Sequence, residues 1–313
     1  MQDNAPSRNQ TVRVVVAFAC VYLFWGSAFV AIRYSAQLVH PAFVAGIRYL
    51  IAGVLLLAFV RLRGDHLRLG RRDLVRVTGL GLLMFTCNTM LLSYGGKALP
   101  AGLTALLIST IPLFIALIET LIGRRFVTSV REWGAVCTGF LGVAMLLRHT
   151  LHEGLLPAIV MPAALGLLAA ALAWALGSVL LSRMKFEAPT LVCTSWQMLI
   201  GGTVDVLIGG AVGGLRSSQW SMAAWGSLIF LAVCGTLIGF TAYSYLLRRV
   251  SIGSVATYAY INPLVAVVLG WLLLGEQLSV SQWVGLVIVL GSVAIVVSLP
   301  QRQVMKDIEA SGT

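Results

Sequence analysis

The sequence predicts an all-α polytopic membrane protein, with ten transmembrane helices arranged as two inverted five-helix repeats. Three observations predict it. The 313 residues are 59% hydrophobic and only 11% charged, whereas soluble domains run at about 45–50% apolar and 25% charged. The mean hydropathy is +0.93 over the whole chain, so the apolar excess is not confined to one anchor. Ten continuously apolar stretches are separated by short polar, Pro or Gly turns. A closed β-barrel would alternate in polarity along each strand and is excluded.

A helix needs about 20 predominantly apolar residues to cross a ~30 Å hydrocarbon core. The first stretch, 13–34, is too long for the apolar region of a cleavable signal and lacks a small-residue cleavage site. The second, 42–60, opens after Pro41 and stops at Arg61 and Arg63; the third, 75–95, follows a basic loop. The fourth, 101–122, opens after Pro100 and stops at Arg124, and the fifth is 132–147. The sixth, 157–182, stops at Arg183, and the seventh, 190–212, lies between Pro189 and Gly213-Gly214. The eighth, 222–247, stops at Arg248-Arg249; the ninth, 253–274, and the tenth, 280–299, complete the set.

The net charge of +11 reports orientation, not nucleic acid, because most basic residues lie between apolar runs. With the N-terminus in the cytoplasm, only Arg33, Arg48, Lys97, Arg148 and Arg216 of the 22 Lys and Arg fall on the outer side. That asymmetry is the positive-inside signal. Both termini are then cytoplasmic, which requires an even number of spans. The partners expected are a lipid bilayer and a small-molecule substrate, with no nucleic acid.

Several chemistries are excluded. Cys20, Cys87, Cys137, Cys193 and Cys234 lie in apolar stretches without CxxC spacing and read as free buried thiols. His40, His66, His149 and His152 lie in or beside loops, so no intramembrane histidine serves a protease or proton relay. No GxxxxGK phosphate loop is present. Neither a metal nor any other cofactor is expected.

The chain also matches itself. A shift of 151 residues superposes Gly26-Ser27 on Gly177-Ser178, Tyr94 on Tyr245, Gly102 on Gly253 and Pro112-Leu113 on Pro263-Leu264. With small gaps Pro41 meets Pro189 and Trp133 meets Trp283. The chain therefore divides into repeats at 1–150 and 151–300, with a cytoplasmic tail at 301–313. Five spans per repeat is an odd number, so the second repeat starts on the opposite face. Inverted repeats recur in secondary transporters, with the site at mid-depth where interrupted helices meet. Pro112 and Pro263 each lie about ten residues into a span, ~15 Å deep. Each removes a backbone hydrogen bond and frees a carbonyl one turn earlier.

Asn262-Pro263-Leu264, then Leu274-Gly275-Glu276-Gln277-Leu278-Ser279, Gln282-Trp283 and Gly285, resembles the end of an EamA repeat of the drug/metabolite transporter superfamily. Trp25-Gly26-Ser27-Ala28-Phe29, Pro41 with Arg48, and Pro112-Leu113 fit the first repeat. The size and overall pattern are similar to the aromatic amino acid exporters of bacterial inner membranes. The resemblance implies a multi-pass inner-membrane transporter and not an enzyme. Two departures stand out: Gly275-Glu276 becomes Gly123-Arg124, and Arg48 has no basic counterpart near Trp196-Gln197. The site is therefore expected to be chemically asymmetric.

Among polar residues in spans, Ser254, Tyr258 and Asn262 recur every four residues and form one stripe ending at Pro263. Tyr243 with Thr236 and Phe240 makes a second face, Asn88 with Thr86 and Tyr94 a third. Trp25 and Trp174 stand beside the paired steps containing Ser27 and Ser178. Together Trp25, Ser27, Asn88, Trp174, Ser178, Tyr243, Ser254, Tyr258 and Asn262 are the candidate substrate-binding set. The alternative for these faces is helix–helix hydrogen bonding. Trp133, Trp220, Trp225 and Trp283 read as interfacial anchors. Arg48 either meets a substrate carboxylate or ties helix ends. Glu119 either pairs near Arg124 or binds; Asp205, about 24 Å along its helix, either carries a proton or contacts Arg or backbone.

The functional expectation is a secondary active transporter exporting amino acids or similar metabolites by alternating access, with proton coupling as an option. Export of other metabolites or drugs, an intramembrane enzyme and a channel are the alternatives. Monomer and homodimer are both compatible with the sequence.

Overall fold

The computed structural model describes residues 8–122, 133–134, 137–139, 141–142, 157–247, 249–250, 255, 257–277 and 279–298. Among them all regular structure is helical. Helix α1 is Thr11–Leu38, α2 Pro41–Leu62, α3 Arg71–Ala98 and α4 Ala101–Leu121. Then come α5 (Pro157–Arg183), α6 (Thr190–Ala211), α7 (Met222–Tyr243), α8 (Tyr258–Leu274) and α9 (Val280–Ser298). Seven helices among the described residues are long and apolar enough to cross a membrane, joined by shorter apolar ones at Ile261–Leu274 and Trp283–Ile295. The fifth expected span, 132–147, lies largely outside the described residues, as does Ser254.

Prolines set the helix starts. Pro41 occupies the first turn of α2, and Pro100 and Pro189 immediately precede α4 and α6. There the ring pre-sets φ, and the missing N–H has no intrahelical acceptor to lose. At the other end of α8, Gly275 adopts φ 66°, a left-handed cap that glycine adopts without strain.

The inversion is visible in how turns are held. At the face carrying Pro41, the turn between α1 and α2 is held by the loop after α6: Gln219 N–H donates to Leu38 O at 2.7 Å and His40 N–H to Ser218 Oγ at 2.9 Å. At the face carrying Pro189, the turn between α5 and α6 is held from the first half. Asp73, at the start of α3, accepts the N–H groups of Glu187 and Ala188 at 2.9 and 3.0 Å. These are corresponding turns on opposite faces.

Helix packing follows the same rule. α1 packs on α7 as α5 packs on α3, and α1 packs on α8 as α5 packs on α4. Helices α2 and α6, counterparts of each other, make the most extensive pair. Their backbones touch reciprocally: a Cβ on Gly46 would lie 2.7 Å from Gly202 O, and one on Gly202 2.8 Å from Gly46 O. Two apolar helices gain nothing by burying surface from lipid, so such close approach is what drives their association. Gly139 packs likewise against Leu113 and Ser292, and Gly142 against Ile288 and Val289 of α9. Gly134 and Gly291 have no such neighbour.

Candidate functional site: a central cavity between the halves

The two prolines at mid-depth do different things. In α4 the helix stops: Ser109 and Thr110 form a turn between Ala101–Ile108 and Ile111–Leu121. Their hydroxyls donate to Leu106 O and Leu107 O at 2.7 and 2.6 Å, satisfying carbonyls at the break. In α8 a turn at Thr257 precedes the helix Tyr258–Leu274, and Pro263 sits inside that helix. Pro263 has no N–H to give to the Ala259 carbonyl four residues back. The turn lies six residues before Pro263.

Three further irregularities gave no signal in the sequence. Val21–Trp25 in α1, Gly81–Cys87 in α3 and Leu231–Ile238 in α7 are π-helical. The widened turn redirects carbonyls away from the helix axis, and such segments cluster at functional sites. One redirected carbonyl, Gly235 O, accepts the Trp25 indole N–H at 3.0 Å, tying α1 to α7.

All these irregular segments border one cavity of about 140 Å³. A void of ~150 Å³ holds a benzene ring, so this one suits a small metabolite. Every helix from α1 to α8 contributes a wall, so both halves build it. Trp25 meets Tyr258 edge-on, with ring centroids 5.1 Å apart, and Tyr243 at 5.1 Å. Across the cavity Trp174 meets Phe85 at 6.4 Å, and Phe85 meets Tyr49 at 4.7 Å.

Of the candidate residues, Trp25, Arg48, Asn88, Trp174, Tyr258, Asn262, Pro112 and Pro263 line the cavity. Ser27 and Ser178 do not: each hydroxyl donates to its own helix, to Leu23 O at 2.6 Å and Trp174 O at 2.7 Å. A serine that back-bonds one turn earlier is spoken for. Tyr243 stands behind Trp25 and Tyr258 as support, not on the wall. Asn88 is on the wall but its Nδ2 donates to Ala170 O at 2.8 Å, so part of its role is to tie α3 to α5.

The charged residues separate. Glu119 pairs with Arg183 of α5 at 3.1 Å rather than near Arg124, which lies outside the described residues. Asp205 is fully buried against Gly46 of α2, with Thr86 beside its carboxyl, and it is off the cavity wall. Arg48 is on the wall, 7% exposed, with its guanidinium 4.6 Å over the Tyr49 ring and Nη2 donating to Tyr49 Oη at 2.9 Å. Tyr49, Phe85, Met198 and Phe29 also line the cavity and carry no mark of it in the sequence, because apolar and aromatic lining looks like any apolar helix face. Among the described residues no cluster of His, Cys, Asp or Glu fits a metal ion.

A second ion pair, Arg33–Glu276, closes the Pro41 face. Arg33 also donates to Leu99 O at 2.7 Å at the end of α3, and Glu276 accepts the Ala101 N–H at 2.8 Å at the start of α4. A cation at a helix C-terminus and an anion at an N-terminus are both favoured by the helix dipole.

A helical bundle with an internal cavity walled by both halves and bordered by broken helices defines a membrane transporter of small molecules. The EamA-like transporter family model matches the chain twice, at 12–148 and 161–298, and the chain belongs to that family. It is 34% identical over 282 residues to the protein of Escherichia coli (strain K12) described as "Uncharacterized inner membrane transporter YedA", covering 90% of this chain and 89% of that one. It is 23% identical over 285 residues to "Uncharacterized transporter YoaV" of Bacillus subtilis (strain 168), covering 91% and 94%. A solved structure, titled only as the crystal structure of a protein, superposes with a TM-score of 0.63 at 19% identity, covering 93% of this chain and 98% of that one, and supports the fold.

Proposed function

We propose that the protein is a secondary active transporter that exports amino acids with aromatic or apolar side chains by alternating access of the central cavity. The observation that carries this reading is the cavity itself: about 140 Å³, walled by corresponding helices of both halves and bordered by every irregular segment described above. Aromatic walls at Trp25, Phe85 and Trp174 suit an apolar side chain, and Arg48 and Asn262 supply polar groups. The basic-residue asymmetry supports a multi-pass protein of the bacterial inner membrane with both termini cytoplasmic, and repeats at 1–150 and 151–300.

Counterflow of a labelled amino acid panel in proteoliposomes, with and without a pH gradient, tests it. Saturable flux competed by unlabelled substrate is expected, and dependence on the gradient would add proton coupling. Flux that never saturates would identify a channel and reject the carrier reading.

A further inference from the structure

Two polar atoms on the cavity wall lack partners, one a donor and one an acceptor. Arg48 and Asn262 are only 7% and 5% exposed, both face the cavity, and Arg48 Nε and Asn262 Oδ1 have no hydrogen bond. Leaving a buried donor or acceptor unsatisfied costs about 1–3 kcal/mol, more for a charged group. Such atoms in a cavity wall point to a ligand that completes them.

The guanidinium is held in place, not free to swing. Tyr49 stacks beneath it, accepts from Nη2, and is itself in hydrogen-bond contact with Thr89 Oγ1 at 3.1 Å. Arg48 makes no ion pair among the described residues, although the buried Asp205 carboxyl lies within its electrostatic reach. None of the described lining residues is acidic. A purely cationic ligand would therefore meet a fixed positive charge and no acidic side chain on the wall. A carboxylate would meet a planar fork of donors in which arginine matches it two bonds at once.

We infer that Arg48 binds the substrate's free carboxylate and Asn262 Oδ1 accepts a hydrogen bond from its ammonium group, so that the cavity selects for a free carboxylate and tolerates varied apolar bodies. The aromatic walls contact the body through ring faces and edges, which discriminate weakly among shapes. This rests on the transport reading above and adds to it the part of the substrate that is read, and by which residues. The second half offers no guanidinium at the corresponding depth, where Trp196 and Gln197 stand, so carboxylate capture belongs to one side of the cavity.

Four probes separate the features: phenylalanine, its amide, 3-phenylpropionate, which lacks the amine, and phenylethylamine, which lacks the carboxylate. Each is tested as a competitor of counterflow and, independently, by titrating the tryptophan fluorescence of the purified full chain. Phenylalanine is expected to bind best, with 3-phenylpropionate weaker. The amide and the amine should each be weaker than phenylalanine by on the order of tenfold to hundredfold. Arg48→Gln should abolish the preference for acid over amide, and Asn262→Ala should bring phenylalanine down to the level of 3-phenylpropionate. The wild-type order needs no variant to fold. Amide binding as well as acid, or Arg48→Gln retaining the acid preference, overturns the inference and leaves transport standing. The expected order in fluorescence without any counterflow supports the inference and removes the transport reading.

Discussion

At the scale of single residues, the cavity distinguishes groups that face a ligand from groups that serve the protein. Tyr258 lies on the wall yet packs its ring against Trp25 and Tyr243, at 5.1 and 5.9 Å. Tyr258→Phe is therefore expected to raise the half-saturation concentration by no more than about tenfold, the value of one hydrogen bond. Tyr258→Ala should do more, since aromatic pairs contribute about 0.5–1.5 kcal/mol each. Equal effects of the two variants on transport kinetics would move the contact from ring to hydroxyl. Asp205 is buried and off the wall, so Asp205→Asn should leave counterflow measurable at matched insertion. Loss of all counterflow would place that carboxyl in the transport step.

His40 gives the protein a pH dependence at the turn before α2. Burial first, and then Lys97, lower its pKa below the ordinary 6.5; the ring faces Tyr94, Phe43 and Gly214. The folded state thus prefers neutral imidazole. Its contribution is complete above pH 6.5 and is lost as pH falls from there through the lowered folded value. Thermal unfolding in detergent should show a midpoint that declines across that window, and less so in His40→Gln; an identical decline in both would assign the effect elsewhere. The polar stripe of Tyr258 and Asn262 was legible in the sequence because it repeats every four residues. The serines misled because sequence does not show a hydroxyl bonding its own helix.

At the scale of elements, helix starts were legible because proline and basic residues mark them chemically. The three π segments were not, since Leu231–Ile238 differs in no visible way from any apolar run. The two ion pairs are an element-scale pattern. Arg33–Glu276 joins the end of α1 to the end of α8 at one face, and Arg183–Glu119 joins the end of α5 to the end of α4 at the other. Those are corresponding helix pairs, so each face has its own clasp. In an alternating-access cycle each clasp must open in turn. Weakening one by about 1 kcal/mol shifts that opening roughly fivefold. Glu276→Gln should speed thiol labelling of a cavity cysteine from the Pro41 face only, and Glu119→Gln from the opposite face only, with counterflow retained in both. Symmetric acceleration, or none, would make the pairs mere surface ties.

At the scale of the whole molecule, the repeat was legible in paired prolines and glycines, and the structure expresses it as corresponding turns and packings on opposite faces. The cavity's asymmetry was legible as well, from the lack of a second Arg48. Its lining by Phe29, Phe85 and Met198 was not, because only tertiary packing separates a wall residue from a lipid-facing one. The charge asymmetry predicts orientation: in a background without native cysteines, His66→Cys should label only from the cytoplasm and Leu215→Cys only from outside. Reversal at both sites would invert the proposed direction of every span.

The central claim is that one cavity opens alternately to the two faces. Ala28 lies on its wall in α1. In a background with Cys20, Cys87, Cys137, Cys193 and Cys234 replaced, Ala28→Cys should react with a membrane-impermeant thiol reagent applied to either face. Substrate should slow the reaction from both. Labelling from one face only, unchanged by substrate or by the direction of its gradient, would contradict alternating access through this cavity.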